Sequence, residues 1–218
     1  MEQPELSHAE SLNLISQMIN RAKDSYRDTG IGAMMWGIVI AICSLVRFCE
    51  IHFGFKLPFD IFLLTIVALI PQIWLNIKEN KERKVKFYDD RYLKYLWMAF
   101  GISIFLLVHV INLAFQAWGP AAAAFKAETG KSSSFRLGEY VMPLFLILYG
   151  LPTFVTGAAC KFRPMLIGGI ICWLCSIAAV YTNYKVDLLL TAFAALLAWF
   201  VPGILMEREY RRYKMEHP

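Results

Sequence analysis

YVMPLFLILYGLPTFVTGAAC, residues 140–160, runs for 21 positions without an Asp, Glu, Lys or Arg. A helix needs about 20 mainly apolar residues to cross the hydrocarbon core of a bilayer. Five further runs of the same kind surround this one, at 31–49, 57–75, 93–115, 165–182 and 186–206. They are continuous and do not alternate, whereas a membrane barrel is built from alternating strands of roughly ten residues. The composition agrees: 58% of the 218 residues are apolar and only 18% charged, against about 45–50% and about 25% in soluble domains. The expected fold is therefore an all-α integral membrane six-helix bundle. Residues 1–30 precede it as a cytoplasmic amphipathic helix, 31–206 hold the six spans, and 207–218 form a basic cytoplasmic tail.

The loops set the orientation. With the N-terminus inside, 16 of the 22 Lys and Arg lie on the inner side and 6 on the outer, which places both termini in the cytoplasm by the positive-inside rule. Trp36, Trp74 and Trp97 then fall at the inner interface and Trp118 at the outer one. The first thirty residues are mostly polar and carry no cleavable signal pattern. The net charge of +5 is mainly this inner-loop excess. It suits anionic lipid at the inner face and gives no reason to expect nucleic acid. Arg47 is the least comfortable charge and must snorkel from the first span towards the headgroups.

Ser7 and Glu10 match a capping box. Leu12, Ile15, Met18, Ile19, Ala22 and Tyr26 follow at helical spacing and form one apolar stripe. That stripe fits the bilayer surface, the inner ends of the bundle, or a homo-oligomer or protein partner bound through residues 7–28. The mixed-charge segment 78–91 reads as two helix extensions joined by a turn. In the outer loop 116–138, Pro120 is expected to start a short helix, with Gly130-Lys131-Ser132-Ser133-Ser134 as a flexible link. That link is no phosphate loop, because Phe125 stands where the motif requires glycine.

Two apolar patterns repeat: GIVIAICSLV at 37–46 resembles GIICWLCSIA at 169–178, and each next span opens with Asp and a Leu-Leu-Thr run, from Asp60 and Asp187. Three tandem hairpins would explain this, although the middle hairpin matches poorly. Pro71, Pro152 and Pro202 lie in the inner halves of the even-numbered spans and are candidate helix kinks, each removing a backbone donor. Thr153 and Thr156 are placed to satisfy groups freed near Pro152. Ala33, Gly37 and Ala41, with Ala194 and Ala198, form rows suited to close helix contact.

No Asp, Glu, Lys or Arg falls in the middle of a predicted span. That weighs against proton pumps, voltage sensors and acid-coupled antiporters, which depend on such groups. A polar set gathers instead at the outer ends, including His52, Asp60 and Asp187. Its core (Arg47, Glu50, His109, Asn112 and Glu139) is a candidate outward-facing pocket for a small polar ligand or cation; the competing reading is a rim of paired interfacial residues. No metal or cofactor spacing is present. Cys172-x-x-Cys175 has oxidoreductase spacing, but among Ile, Trp and Leu a thiolate is costly, and the pair reads as small buried hydrophobes. No hydrolase or zinc-protease signature occurs.

The segments ESLNLISQMINRAKDSYRDTG (10–30), WG (36–37), YGLPTFVTG (149–157), KFRP (161–164), GGIICW (168–173) and VPG (201–203) together resemble an uncharacterised family of multi-pass inner-membrane proteins of Bacteroidetes-type bacteria. The resemblance implies a bacterial inner membrane and a six-helix body, and it brings no catalytic residues. The expected role is non-enzymatic: regulatory, sensory or assembly. A small-solute transporter or channel is the alternative, and a membrane thiol oxidoreductase the third.

Overall fold

The structure, a computed structural model, describes residues 29–82, 88–131 and 137–216. The amphipathic segment 7–28 and residues 132–136, which include Ser132–Ser134 of the expected link, lie outside the described residues. Helix α1 spans Ile31–Phe53 and is followed by a 3-10 turn, Ile61–Leu63, and α2, Leu64–Glu82. Helix α3 spans Tyr88–Thr129, and a second 3-10 turn, Leu137–Tyr140, leads into α4, Val141–Ala159. Then come α5, Arg163–Val180, and a sixth span made of α6, Tyr184–Ala195, a π-helical turn, Leu196–Phe200, and α7, Val201–Glu216. Six helical segments are long and apolar enough to cross a membrane, and no strand occurs among the described residues. The chain is an all-α six-helix membrane bundle.

Local chemistry explains where the spans depart from the expected boundaries. Gly54, in the left-handed region at φ 73°, ends α1 and returns its N–H to the Glu50 carbonyl. Residues 54–60 therefore stay out of the helix that was expected from 57. Helices α2 and α3 both extend into the charged segment, to Glu82 and from Tyr88. Pro120 does not start a helix: it lies inside α3, which continues to Thr129. Ala121–Ala124 are strong helix formers, and the carbonyl that Pro120 leaves without a donor belongs to the exposed Gln116, where solvent or headgroups can reach it.

The six spans are not equivalent. Helices α1, α4, α5 and the sixth span make the core, while α2 leans on α1 and α3 on α4. Leu146, Cys172, Ala179, Ala194 and Ala198 are fully enclosed between the core helices, with Tyr149 and Trp199 beside them. Lipid tails are as apolar as Leu, so membrane helices associate through close packing and buried hydrogen bonds rather than through hydrophobic gain. Small residues supply that packing. A side chain at Gly37 would meet the backbone nitrogen of Phe200 at 2.6 Å, and one at Gly168 the Cα of Ala198 at 2.5 Å. Gly150, Gly157 and Gly169 bring α4 and α5 equally close. The Gly37–Ala41 and Ala194–Ala198 rows of the sequence are thus core contacts.

All three kink candidates lie within helical spans. At Pro202 the distortion is visible: the turn before it, Leu196–Phe200, is π-helical, and the Val201 N–H reaches the Leu196 carbonyl five residues back. Proline clashes with the carbonyl four residues earlier, and a wider turn relieves the crowding. This turn carries Trp199 into the core, where its indole N–H donates to Thr153 Oγ1 at 2.7 Å. The Thr153 hydroxyl in turn donates to the Tyr149 carbonyl at 2.7 Å. The Thr153 bond thus goes to the Tyr149 carbonyl rather than to the Leu148 carbonyl that Pro152 leaves without its helical donor, and Thr156 accepts from Trp97 Nε1 at 3.2 Å. The internal repeat holds only in part. Ser44 and Ser176 are both buried beside their cysteines, but Asp60 caps a turn while Asp187 sits inside α6.

Replacing Gly37 by Leu should destabilise the bundle by about 1–3 kcal/mol through overpacking. Gly101→Ala, with nothing within 4 Å of an added side-chain carbon, should leave stability unchanged or slightly raised. Thermal unfolding in one detergent measures both; equal effects would refute the close-contact account.

Candidate functional site

The polar residues near the ends of α1 and α6 converge, and Glu50 is their centre. It lies one turn before the end of α1 and is 6% exposed. Its Oε2 accepts from Arg47 Nη1 at 2.9 Å, and its Oε1 accepts from the Leu57 backbone N–H at 2.9 Å. One carboxylate thus neutralises Arg47 and folds the 54–60 segment back over the helix end. Arg47 stays partly exposed, which lets its head reach the interface. Its other neighbour is the Tyr184 side chain, at the start of α6.

The 3-10 turn is fixed by Asp60, whose Oδ1 accepts from the Phe62 N–H at 2.9 Å. Cys43 Sγ contacts the Ile61 carbonyl at 3.4 Å and ties the turn to α1. Asn183 caps α6 by accepting from the Val186 N–H at 3.2 Å, a common role for Asn before a helix. One turn further in, Asp187 is fully buried. Its Oδ1 accepts from the Thr182 hydroxyl at 2.5 Å, while its Oδ2 has no hydrogen-bond partner among the described residues. Ser44 Oγ is also buried without a hydrogen-bond partner among the described residues. Helices α1 and α6 run antiparallel, with Arg47 beside Tyr184, so Ser44 and Asp187, each three residues deeper, lie at about the same level. Glu139, in the second 3-10 turn, lies within electrostatic range of Asp187.

The candidate pocket of the sequence is therefore only partly assembled. Arg47 and Glu50 pair, and Glu139 approaches the same end through Asp187. His109 and Asn112 do not join them: both are exposed on α3, and the Asn112 amide donates to the Val108 carbonyl of its own helix at 2.8 Å. Their helical spacing was sound, but the face they share turns away from the core. His52 is also exposed, stacked on Phe48 at a ring distance of 5.5 Å. Sequence reasoning missed Ser44, Thr182 and Tyr184. Asn183 before an apolar run is a readable helix start; nothing local marks Ser44 as a neighbour of α6.

Chemically, the arrangement closes a helix end and buries one carboxylate. Among the described residues no three of His, Cys, Asp and Glu gather as metal ligands. The five cysteines are free, and Cys172 and Cys175 are buried in the apolar core. Compared with known proteins, the chain matches no family model, no curated protein and no solved structure.

Glu50→Ala should release the 54–60 segment. Hydrogen–deuterium exchange should then show the Leu57 amide losing protection, by tenfold or more, while His109→Ala leaves it unchanged. Unchanged protection in the Glu50 variant would mean that the carboxylate does not hold the loop.

Proposed function

We propose that the protein is a non-enzymatic protein of a bacterial inner membrane, with a regulatory, sensory or assembly role and both termini in the cytoplasm. Residues 7–28 and the basic inner face contact a protein partner or anionic lipid. The observation that carries this reading is the filled centre of the four-helix core. Trp199 donates there to Thr153 and Thr153 to the Tyr149 carbonyl, and Leu146 with Ala179, Ala194, Ala195 and Ala198 belongs to the same core. Ser176 likewise donates inward, to the Pro143 carbonyl at 2.9 Å. Polar groups satisfied by each other suit a scaffold, whereas a permeation path requires groups that face a shared space. The excess of Lys and Arg on one side supports the orientation, and the likeness to inner-membrane proteins of Bacteroidetes-type bacteria supports the compartment.

A small-solute transporter is the second reading, favoured by Asp187 Oδ2 and Ser44 Oγ. A buried carboxylate oxygen without a donor is costly, and a proton, a water or a small cation would relieve it. The thiol oxidoreductase reading has only Cys172 and Cys175, in surroundings where a thiolate is costly.

Deleting residues 1–28 tests the first reading. The truncated chain should keep its helical content and unfolding temperature but lose the protein or lipid retained by the full chain. Vesicles containing the full chain should show no more solute flux than protein-free vesicles. Flux that Asp187→Asn abolishes would establish the transporter instead.

A further inference from the structure

Among the described residues, two buried side-chain oxygens have no hydrogen-bond partner, Asp187 Oδ2 and Ser44 Oγ. They belong to α6 and α1, which pack against each other. An orphaned hydroxyl is a modest cost, whereas an orphaned carboxylate oxygen is a large one. Asp187 is 0% exposed, so its charge needs compensation from close by.

The described elements around Asp187 do not supply it. Helix α4 carries no charged residue, its one titratable side chain being Tyr149 in the central core, and the π-helical turn carries none. The one charged residue of α5 is Arg163, at the end away from Thr182. On α1, Arg47 is engaged by Glu50 and Tyr184, His52 is exposed, and Cys43 contacts the Ile61 carbonyl. On α6 itself, Lys185 is exposed. The remaining neighbours have the same sign as Asp187: Glu139, in the second 3-10 turn, acts on it directly, and Asp60 lies within range of Tyr184. The N-terminus of α6 lends only part of a positive charge. Its N–H groups also have partners, since Val186 donates to Asn183 Oδ1 and Asp187 to the Asn183 carbonyl.

We propose that Asp187 anchors a binding site for one small monovalent cation, a proton or Na+, on its Oδ2. The two share one chemistry, a single positive charge on a carboxylate oxygen, and one buried charge calls for one such ion. Thr182 occupies Oδ1 and leaves Oδ2 open. Entry is short, because Thr182 is itself exposed, as are Tyr181 and Asn183 on either side of it. Glu139, half-buried at the same end, draws cations towards the site. The inference shares its observation with the transporter reading but not its fate: binding requires no passage across the membrane. Ion-dependent stability without flux would keep the site and end that reading.

Thermal unfolding of the full chain in detergent provides the test, since a cation held by the folded chain alone raises the unfolding temperature with its concentration. Two titrations are compared with the same titrations of Asp187→Asn, which keeps the shape and removes the charge. Lowering the pH from about 8 to about 5.5, or raising Na+ from about 1 to about 150 mM with choline chloride holding ionic strength, should raise the wild-type value by about 2–4 °C more than the variant's. A difference with pH alone identifies a proton. A difference with Na+ that fades at the lower pH identifies Na+ competing with a proton. Glu139→Gln removes a neighbouring negative charge and should raise the cation concentration at half-response about threefold to tenfold; it carries the test if the Asp187 variant does not fold. Responses equal in wild type and Asp187→Asn, or unmoved by Glu139→Gln, would overturn the inference. So would an Asp187→Asn chain less stable than wild type at every pH and Na+ concentration, because Oδ2 would then be served by a fixed donor.

Discussion

The approach of α4 to α5 at Gly150, Gly157 and Gly169 is the contact on which the rest of the bundle depends. In lipid there is no hydrophobic gain in bringing two apolar helices together, so the helices are held where their backbones can touch. An added side-chain carbon at Gly157 would collide with the backbone of Leu166, and one at Gly169 with that of Phe154. With α4 and α5 fixed, the sixth span closes on α5 through Gly168 and Ala198, and α1 closes on the sixth span through Gly37 and Gly203. Gly30 completes that chain of contacts. Its left-handed backbone, at φ 70°, starts α1 directly against the Gly203 carbonyl.

The second constraint is that helix backbone in a membrane must satisfy its own polar groups. Prolines violate this locally, and the chain answers at Pro202 by widening the preceding turn. That wider turn is why Trp199 reaches Thr153, so one backbone defect produces the central side-chain hydrogen bond of the core. At the other end of α1 the same requirement is met by side chains. Glu50 takes the Leu57 N–H, Asp60 the Phe62 N–H, and Asn183 the Val186 N–H. These residues are functional-looking in sequence because they are polar at span ends, yet each has a backbone group to serve. Asp187 Oδ2 and Ser44 Oγ are the exceptions.

Much of the fold was legible because hydrocarbon thickness imposes a run length that composition reports directly. The small-residue rows were legible for a similar reason: Gly37 and Ala41 recur at the spacing of one helix face. What sequence could not supply was rank. By apolar length alone the run 93–115 is not distinguished from 140–160, yet α3 is peripheral and α4 central, because lipid and a neighbouring helix ask for the same apolar side chains. That ambiguity also misplaced His109 and Asn112, whose shared face was correctly derived but assigned to the wrong side of the bundle. Glu50 was found as polar but not as a loop clasp, since its partner Leu57 contributes only a backbone N–H.

A density map of the protein in a lipid nanodisc, at a resolution that separates side chains, tests the central claim most directly. The account predicts continuous side-chain density between α1, α4, α5 and the sixth span, with the Trp199 indole on Thr153. A solvent-filled passage between those helices, lined by Thr153 and Ser176, would contradict it.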